Sequence, residues 1–370
     1  MGRRGGGREG WAAMTHPVVA SVRNIESGED LAYFSAPTVR DADAQRPFLA
    51  ADIGGTHARL GLVAPQLEGA PRVLSYRSYR CADHPHLDGI VRQFCAELDA
   101  RPRELVLASA GYLHAGVVVN RNLAWPLVPA TLAQELRLER VRFLNDFEAL
   151  AHAIAYVDEH SSVALKTAFA PDAQQGPIAV IGPGTGLGAA VWFPGEPPRV
   201  IATEAGQIQL AARGGLEREV LDRIAAPDCH TPYEAVLSGP GLHRLYAALC
   251  AVYDRYPSYA EPADVVAAAE AGDEVAYETL QMFGGWMGSF AGDLAMLYGT
   301  TGGVYLAGGF LSRIVDLLRC GPLVERFLDK GVMRPFLHKV PIRVVDHGQL
   351  GVVGAASWHL HTRTAKQAPG

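Results

Sequence analysis

An α/β architecture in two layered domains is what this sequence predicts, and three observations predict it. Strand-like and helix-like patterns alternate along most of the chain, as they do in sheets covered by helices. Two apolar runs, at 48–63 and 177–193, each break at a glycine–threonine tip and resume as an apolar run. The length of 370 residues suits two domains with a buried core apiece.

The first run reads Phe48-Leu-Ala-Ala-Asp52-Ile-Gly54-Gly55-Thr56-His57-Ala-Arg59-Leu-Gly-Leu-Val63. It ends on one carboxylate, Asp52, turns through the glycines, and leaves as an alternating strand from Arg59 to Val63. Such a tip offers backbone N–H groups and a hydroxyl to an anion while the acid positions a metal ion. The same residues also suit a plain two-glycine hairpin with a charged corner.

About 130 residues further on, Pro177-Ile-Ala-Val-Ile-Gly182-Pro-Gly184-Thr185-Gly186-Leu-Gly188-Ala-Ala-Val-Trp-Phe193 repeats the design. Gly184, Gly186 and Ala189 fit G-x-G-x-x-A, but that dinucleotide fingerprint needs a helix directly after the glycines. Ala189 to Phe193 followed by Pro194-Gly195 reads as a strand and a turn instead. The dinucleotide reading fails. Two strand–tip–strand units suggest two halves gripping one polyphosphate from opposite sides.

Between the tips, helical apolar spacing marks Leu87 to Leu98, and Leu105 to Ser109 reads as a buried strand. Val117 to Val119 is a strand, Ala130 to Leu136 a short helix, and Val141 to Leu144 a strand that delivers Asn145-Asp146 into a helix over Phe147 to Tyr156. From about 215 helices dominate, over Glu217–Ile224, Gly241–Tyr253, Pro262–Ala271 and Glu274–Leu297. Gly303 to Ala307 is a strand ending at Gly308-Gly309, Leu323 to Leu328 a helix, and Ile342 to Val345 the last strand. Ligands in such folds gather at the carboxyl ends of strands.

Asn145-Asp146 stands at that kind of place. Phosphoryl transfer to an alcohol needs an aligned hydroxyl, a base for its proton, and donors plus Mg²⁺ to absorb charge on the phosphoryl oxygens. One carboxylate flanked by glycine tips supplies that set, although Asp146 also suits a helix cap.

Composition narrows the class. With 49% hydrophobic and 19% charged residues the chain is an ordinary globular sequence, and a net charge of −6 leaves no nucleic-acid footprint. Five scattered cysteines, Cys81, Cys95, Cys229, Cys250 and Cys320, form no C-x-x-C pair. That argues against a zinc site or a disulfide framework and suits a reduced cytoplasm. No apolar run approaches the ~18 residues of a membrane span. Residues 1–46 open on a glycine- and arginine-rich stretch without the apolar core of a signal peptide, and read as a flexible tail with Met14 as an alternative start. Residues 362–370 read as a frayed end.

Five segments then occur in one order: Asp52-Ile-Gly-Gly-Thr56, Leu144-Asn-Asp-Phe-Glu148, Gly182-Pro-Gly-Thr-Gly-Leu-Gly188, Leu237-Ser-Gly-Pro-Gly-Leu242 and Gly303-Val-Tyr-Leu-Ala-Gly-Gly309. In this the chain resembles bacterial ATP-dependent glucokinases, of the actin/hexokinase/Hsp70 superfamily, over about residues 47–361. The resemblance implies a two-domain actin-like ATPase (ribonuclease H-like) fold with a cleft between the domains. Residues 47–156 plus 346–361 would form the smaller domain and 157–345 the larger. It implies MgATP as phosphoryl donor, a sugar as acceptor, and a homodimer.

By that resemblance Asp52 would hold Mg²⁺, while Gly54, Gly55, Thr56, Gly184, Thr185 and Gly186 would contact phosphates and Gly308 and Gly309 the adenosine. Asp146 would be the general base on the sugar 6-hydroxyl. Asn122, Asn145, Glu204 and Glu234 would bind the other hydroxyls, since a polyol is recognised by polar and charged acceptors around its ring.

Departures from the pattern fall on the sugar side. Glu204-Ala205-Gly206-Gln207 replaces the usual Glu-Gly-Gly-His, so Gln207 stands where a histidine would contact sugar, with a different reach and direction. Ile208-Gln-Leu210 replaces Val-Asp-Phe, Ser109-Ala-Gly-Tyr112 replaces an alanine-cysteine-proline type of turn, and His57 stands for an asparagine. A mismatched partner in a hydroxyl-binding site costs roughly 1–3 kcal/mol for each group left unsatisfied. The expected activity is conversion of MgATP and glucose to ADP and glucose 6-phosphate. A kinase for another hexose, or a low-turnover sugar sensor on the same scaffold, are the alternatives, and polyphosphate is an alternative donor.

Overall fold

The computed structural model describes residues 46–66, 69–120, 123, 125–158, 160–167, 176–226, 228–346 and 348–365. The first sheet is built around β1 (Phe48–Ile53), whose six residues are all buried. A short apolar strand covered on both faces belongs at a sheet's centre. β2 (His57–Ala64) returns antiparallel with Arg59 opposite Asp52, and β3 (Arg72–Arg80) pairs outside it. After α1 (Leu87–Glu97), β4 (Glu104–Ser109) runs parallel to β1. A small hairpin, β5 (Tyr112–His114) and β6 (Val117–Val119), and α2 (Pro129–Glu135) lead to β7 (Arg140–Asn145), parallel to β4. The order is β3-β2-β1-β4-β7. α3 (Asp146–Ile154) leaves directly from the end of β7.

The second sheet repeats this plan. β8 (Ser162–Lys166) comes first, then β9 (Ile178–Pro183), β10 (Leu187–Phe193) and β11 (Arg199–Thr203) form an antiparallel meander. A helical stretch follows: α4 (Leu216–Ile224), α5 (Gly239–Val252), α6 (Pro262–Glu270) and α7 (Glu274–Tyr298). β12 (Gly303–Ala307), α8 (Gly309–Arg313), α9 (Val315–Cys320), α10 (Leu323–Leu328), α11 (Arg334–His338) and β13 (Ile342–Val345) complete it, and α12 (Leu350–Ala365) ends the described chain. The order is β11-β10-β9-β12-β13-β8, with β9, β12 and β13 parallel. Without its outer strand β8, this is the first sheet over again: β9 stands for β1, β10 for β2, β12 for β4 and β13 for β7.

Each half has its own core. Trp286, Phe283 and Phe290 of α7 are fully buried in the second, each contributing about 1.5–3 kcal/mol of burial free energy. The halves meet at two helices: α12 packs along α3 and over β1 and β4, and α3 also packs on β9, β10 and β11. Small residues allow the crossing of α12 and α3, for a β-carbon at Gly354 would overlap the carbonyl of Ala149. Among the described residues no helix is long and apolar enough to cross a membrane.

Most expected elements are present within a residue or two, and Ala189–Phe193 is indeed strand rather than helix. Residues 362–365, read from the sequence as frayed, lie in the last turn of α12, where the Thr362 hydroxyl donates to the carbonyls of Trp358 and His359. The N-terminal tail through residue 45 and residues 366–370 lie outside the described residues.

Candidate active site

The first tip is closed from within. Gly54 N–H donates to the His57 carbonyl at 3.0 Å, which spends that donor on the turn. Gly55 and Thr56 stay exposed, and their N–H groups donate to no backbone carbonyl among the described residues. Cys81 props the tip from below, its N–H donating to the Thr56 carbonyl at 2.8 Å and its thiol to the Gly54 carbonyl at 3.4 Å. No pattern in the sequence marks that lone cysteine.

Asp52 is buried beneath this tip, with Arg59 Nη1 3.3 Å from its Oδ2. The first turn of α12 closes over it, since a β-carbon at Gly351 would stand 2.6 Å from the Asp52 carboxyl carbon. A helix N-terminus there favours the anion. Ser109, one of the departures noted above, ties β4 to β1 by donating to the Ile53 carbonyl at 2.9 Å.

The second tip follows the same rule. Gly184 N–H donates to the Gly186 carbonyl at 2.8 Å, and the Gly184 carbonyl accepts from Gly239 N–H at the start of α5. Gly184 and Thr185 are exposed, and a β-carbon at Gly184 would meet nothing within 4 Å. The other glycines of the motif face protein. Gly186 leaves room for Glu234, whose Oε2 would lie 2.5 Å from a β-carbon there. Gly182 and Gly188 leave room for the ring of Phe147.

Asn145 and Asp146 divide their work. The Asn145 Oδ1 caps α3, accepting from Phe147 N–H at 2.9 Å and Glu148 N–H at 3.3 Å, while its amide donates to the Gly111 carbonyl at 3.3 Å. Asn145 thus supplies the cap, which leaves Asp146 free of that role, and the Asn145 amide keeps a second N–H beyond the one given to Gly111. The Asp146 Oδ1 accepts from Phe147 N–H at 3.0 Å. Loss of solvent around that carboxyl, then the negative charge of Asp52 and of Glu204, push its pKa up to about 7.

The two acids that the sequence assigns to a sugar, Glu204 and Glu234, take different postures. Glu234 is held at both oxygens, Oε2 accepting from Leu187 N–H at 2.8 Å and Oε1 from Gln207 Nε2 at 3.0 Å. Glu204 and Gln207 are exposed, at the start and end of a short 3-10 turn whose middle, Ala205-Gly206, is buried. Leu210, another departure, is a core residue of the second half. Gly308 and Gly309 follow β12 at its carboxyl end, and a β-carbon at Gly309 would meet nothing within 4 Å. Asn122 lies outside the described residues.

No group of three or more His, Cys, Asp or Glu side chains suited to a metal occurs among the described residues. Mg²⁺ carried in with a nucleotide takes one or two carboxylates and otherwise phosphate oxygens and water. Asp52 is the buried carboxylate beneath the first tip.

Two sheets of one plan, each with a glycine tip at the carboxyl end of its central strand, make an actin-like ATPase fold. A family profile described as Glucokinase matches residues 49–362. A glucokinase-like protein of Xylella fastidiosa is 44% identical over 88% of this chain and 98% of its own. A glucokinase of Saccharophagus degradans is 35% identical over 84% and 98%. The crystal structure of a glucokinase from an Antarctic psychrotroph superposes with a TM-score of 0.75 at 34% identity, over 85% of this chain and 99% of that one. The chain belongs to the glucokinase family, and is an ATP-dependent sugar kinase.

Proposed function

We propose that the protein moves the γ-phosphoryl group of MgATP to the 6-hydroxyl of D-glucose, with Asp146 as general base. The observation that carries this is Asp146 itself: relieved of capping by Asn145, beside Asp52 and Glu204, with a carboxyl raised to about 7. A base is most effective when its pKa lies near the working pH.

As the sugar oxygen bonds to the γ-phosphorus, Asp146 takes the hydroxyl proton, and the bond to the β-phosphoryl oxygen breaks in line, its electrons leaving with ADP. The N–H groups of Gly55, Thr56, Thr185 and Gly186, which donate to no backbone carbonyl among the described residues, hold the phosphoryl oxygens without reorganising, with Gly54 and Gly184 in contact beside them. Mg²⁺, held by Asp52, supplies charge neutralisation there when bound. Asn122, Asn145, Glu204, Gln207 and Glu234 receive the other hydroxyls, and the surface at Gly308-Gly309 takes the adenosine. The lobes that close on the sugar are 47–156 with the C-terminal helix and 157–345, in a homodimer. Closure keeps water from the phosphoryl group.

A coupled assay with MgATP and a panel of hexoses tests this. Asp146→Asn is expected to lose about 10²–10⁴-fold in kcat while still binding ATP. Near-normal turnover would remove the base assignment. Failure of the wild type on every hexose, with ATP bound, would leave the sugar-sensing reading in its place.

A further inference from the structure

Phe147 directly follows the base, and its N–H donates to both Asn145 Oδ1 and Asp146 Oδ1. Its ring goes elsewhere. α3 grows out of the first sheet, yet the ring enters a notch in the second, between Gly182 of β9 and Gly188 of β10, which are cross-strand partners. A β-carbon at Gly182 would lie 2.8 Å from the ring Cζ, and one at Gly188 would overlap the ring edge. Neither glycine has a positive φ, so the backbone does not call for glycine at either place. The ring does. Phe147 is half-buried and belongs to none of the three apolar core clusters among the described residues, so the notch is not an extension of a core.

The notch lies at the root of the second tip. Gly182 precedes Gly184 by two residues and Gly188 follows Gly186 by two. One residue therefore joins the carboxylate read as the base to the loop read as the phosphate grip. We infer that Phe147 is a positioning residue, whose ring in the Gly182–Gly188 notch fixes the Asp146 carboxylate relative to the second tip. The inference rests on the assignment of Asp146 as base. A rigid ring wedged between two strands holds a distance that a bond-rotatable polar contact would not. Misplacing a reacting group by about 1 Å can cost on the order of 10²-fold in rate.

Steady-state kinetics of Phe147→Leu, Gly188→Ala, their double variant and Asp146→Asn test it, each with a melting temperature. Phe147→Leu is expected to lose about 30- to 100-fold in kcat, with both KM values within about threefold of wild type. Gly188→Ala, whose new methyl displaces the ring, should show the same split. The double variant should recover kcat relative to Gly188→Ala, because the smaller side chain makes room for the methyl. Folded Phe147→Leu with wild-type kcat, beside an inactive Asp146→Asn, would overturn the positioning role alone. So would losses that simply multiply in the double variant. Phe147→Ala, read in the same way, serves if Phe147→Leu does not fold. An active Asp146→Asn would overturn the base assignment and this inference with it.

Discussion

The two tips occupy equivalent places in equivalent sheets, and they solve different problems. At the next-to-last residue of the central strand the first half has Asp52, facing Arg59 across the hairpin. The second half has Gly182, facing Gly188. One pair brings charge to the site and the other brings space. Each is met by a helix from the opposite half's last parallel strand: α12, after β13, lays Gly351 against Asp52, and α3, after β7, lays Phe147 against the glycines. The half that carries charge is met by a glycine, and the half that carries glycines is met by an aromatic ring. Duplicated topology thus fixes where the tips are, and the residue choice at one register position decides what each contributes.

The largest test of that contrast removes the charge. Asp52→Asn keeps the shape beneath the first tip but deletes the anion that Arg59 and the N-terminus of α12 surround. Loss of a preorganised electrostatic group costs roughly 10²–10³-fold in kcat, and that is the expected fall. Its Mg²⁺ requirement should shift to higher concentration in the same assay. Unchanged turnover would mean that both tips act through backbone alone, and the contrast would vanish.

A second test acts on the crossing that brings both helices into place. His152 of α3 is buried against α12, its Nδ1 has no hydrogen-bond partner among the described residues, and His361 lies 6.2 Å away between ring centres. Burial, then the neighbouring His361, lowers the His152 pKa from 6.5 to about 4. The unfolded chain therefore binds a proton that the folded chain refuses. Stability is full above about pH 6.5 and falls as pH drops toward 4, below which this contribution levels off. The loss is on the order of 3 kcal/mol over that window. Urea unfolding at pH 7 and pH 4.5 measures it, and His152→Leu should reduce the pH dependence. A dependence untouched by His152→Leu would place the acid-labile contact elsewhere.

Much of this was legible in the sequence, for identifiable reasons. β1 and β9 are short apolar runs ending in glycine, and α7 has an amphipathic period with Asp273 as its cap and Gly299 as its left-handed stop. Those are local signals. β3 and β11 carry many exposed residues at or near a sheet edge and gave no such signal, so only pairing with β2 and β10 makes them strands. At the site, Asp52, Asp146 and both tips stood out because glycine beside a lone acid is unusual chemistry. The separate purposes of Gly182, Gly186 and Gly188 did not, because Phe147 and Glu234 reach them only through tertiary contact. Nor did the closing bonds of the tips, in which Gly54 and Gly184 N–H groups donate within their own turns.

The smallest expected effect concerns Gln207, the departure nearest the second tip. Its amide donates to Glu234 Oε1, while Leu187 N–H occupies Oε2, so Glu234 is fixed without any added positive charge. A histidine could make the same bond from one ring nitrogen and keep the other for a sugar hydroxyl. Gln207→His should therefore lower the glucose KM by about fivefold, close to 1 kcal/mol, with kcat little changed, as for a contact equally strong in ground and transition states. An unchanged KM would mean that Gln207 already completes the hydroxyl site. A raised KM would mean more: the amide at 207 is then itself matched to glucose, and on the same hexose panel Gln207→His would lose preference for glucose relative to the other sugars.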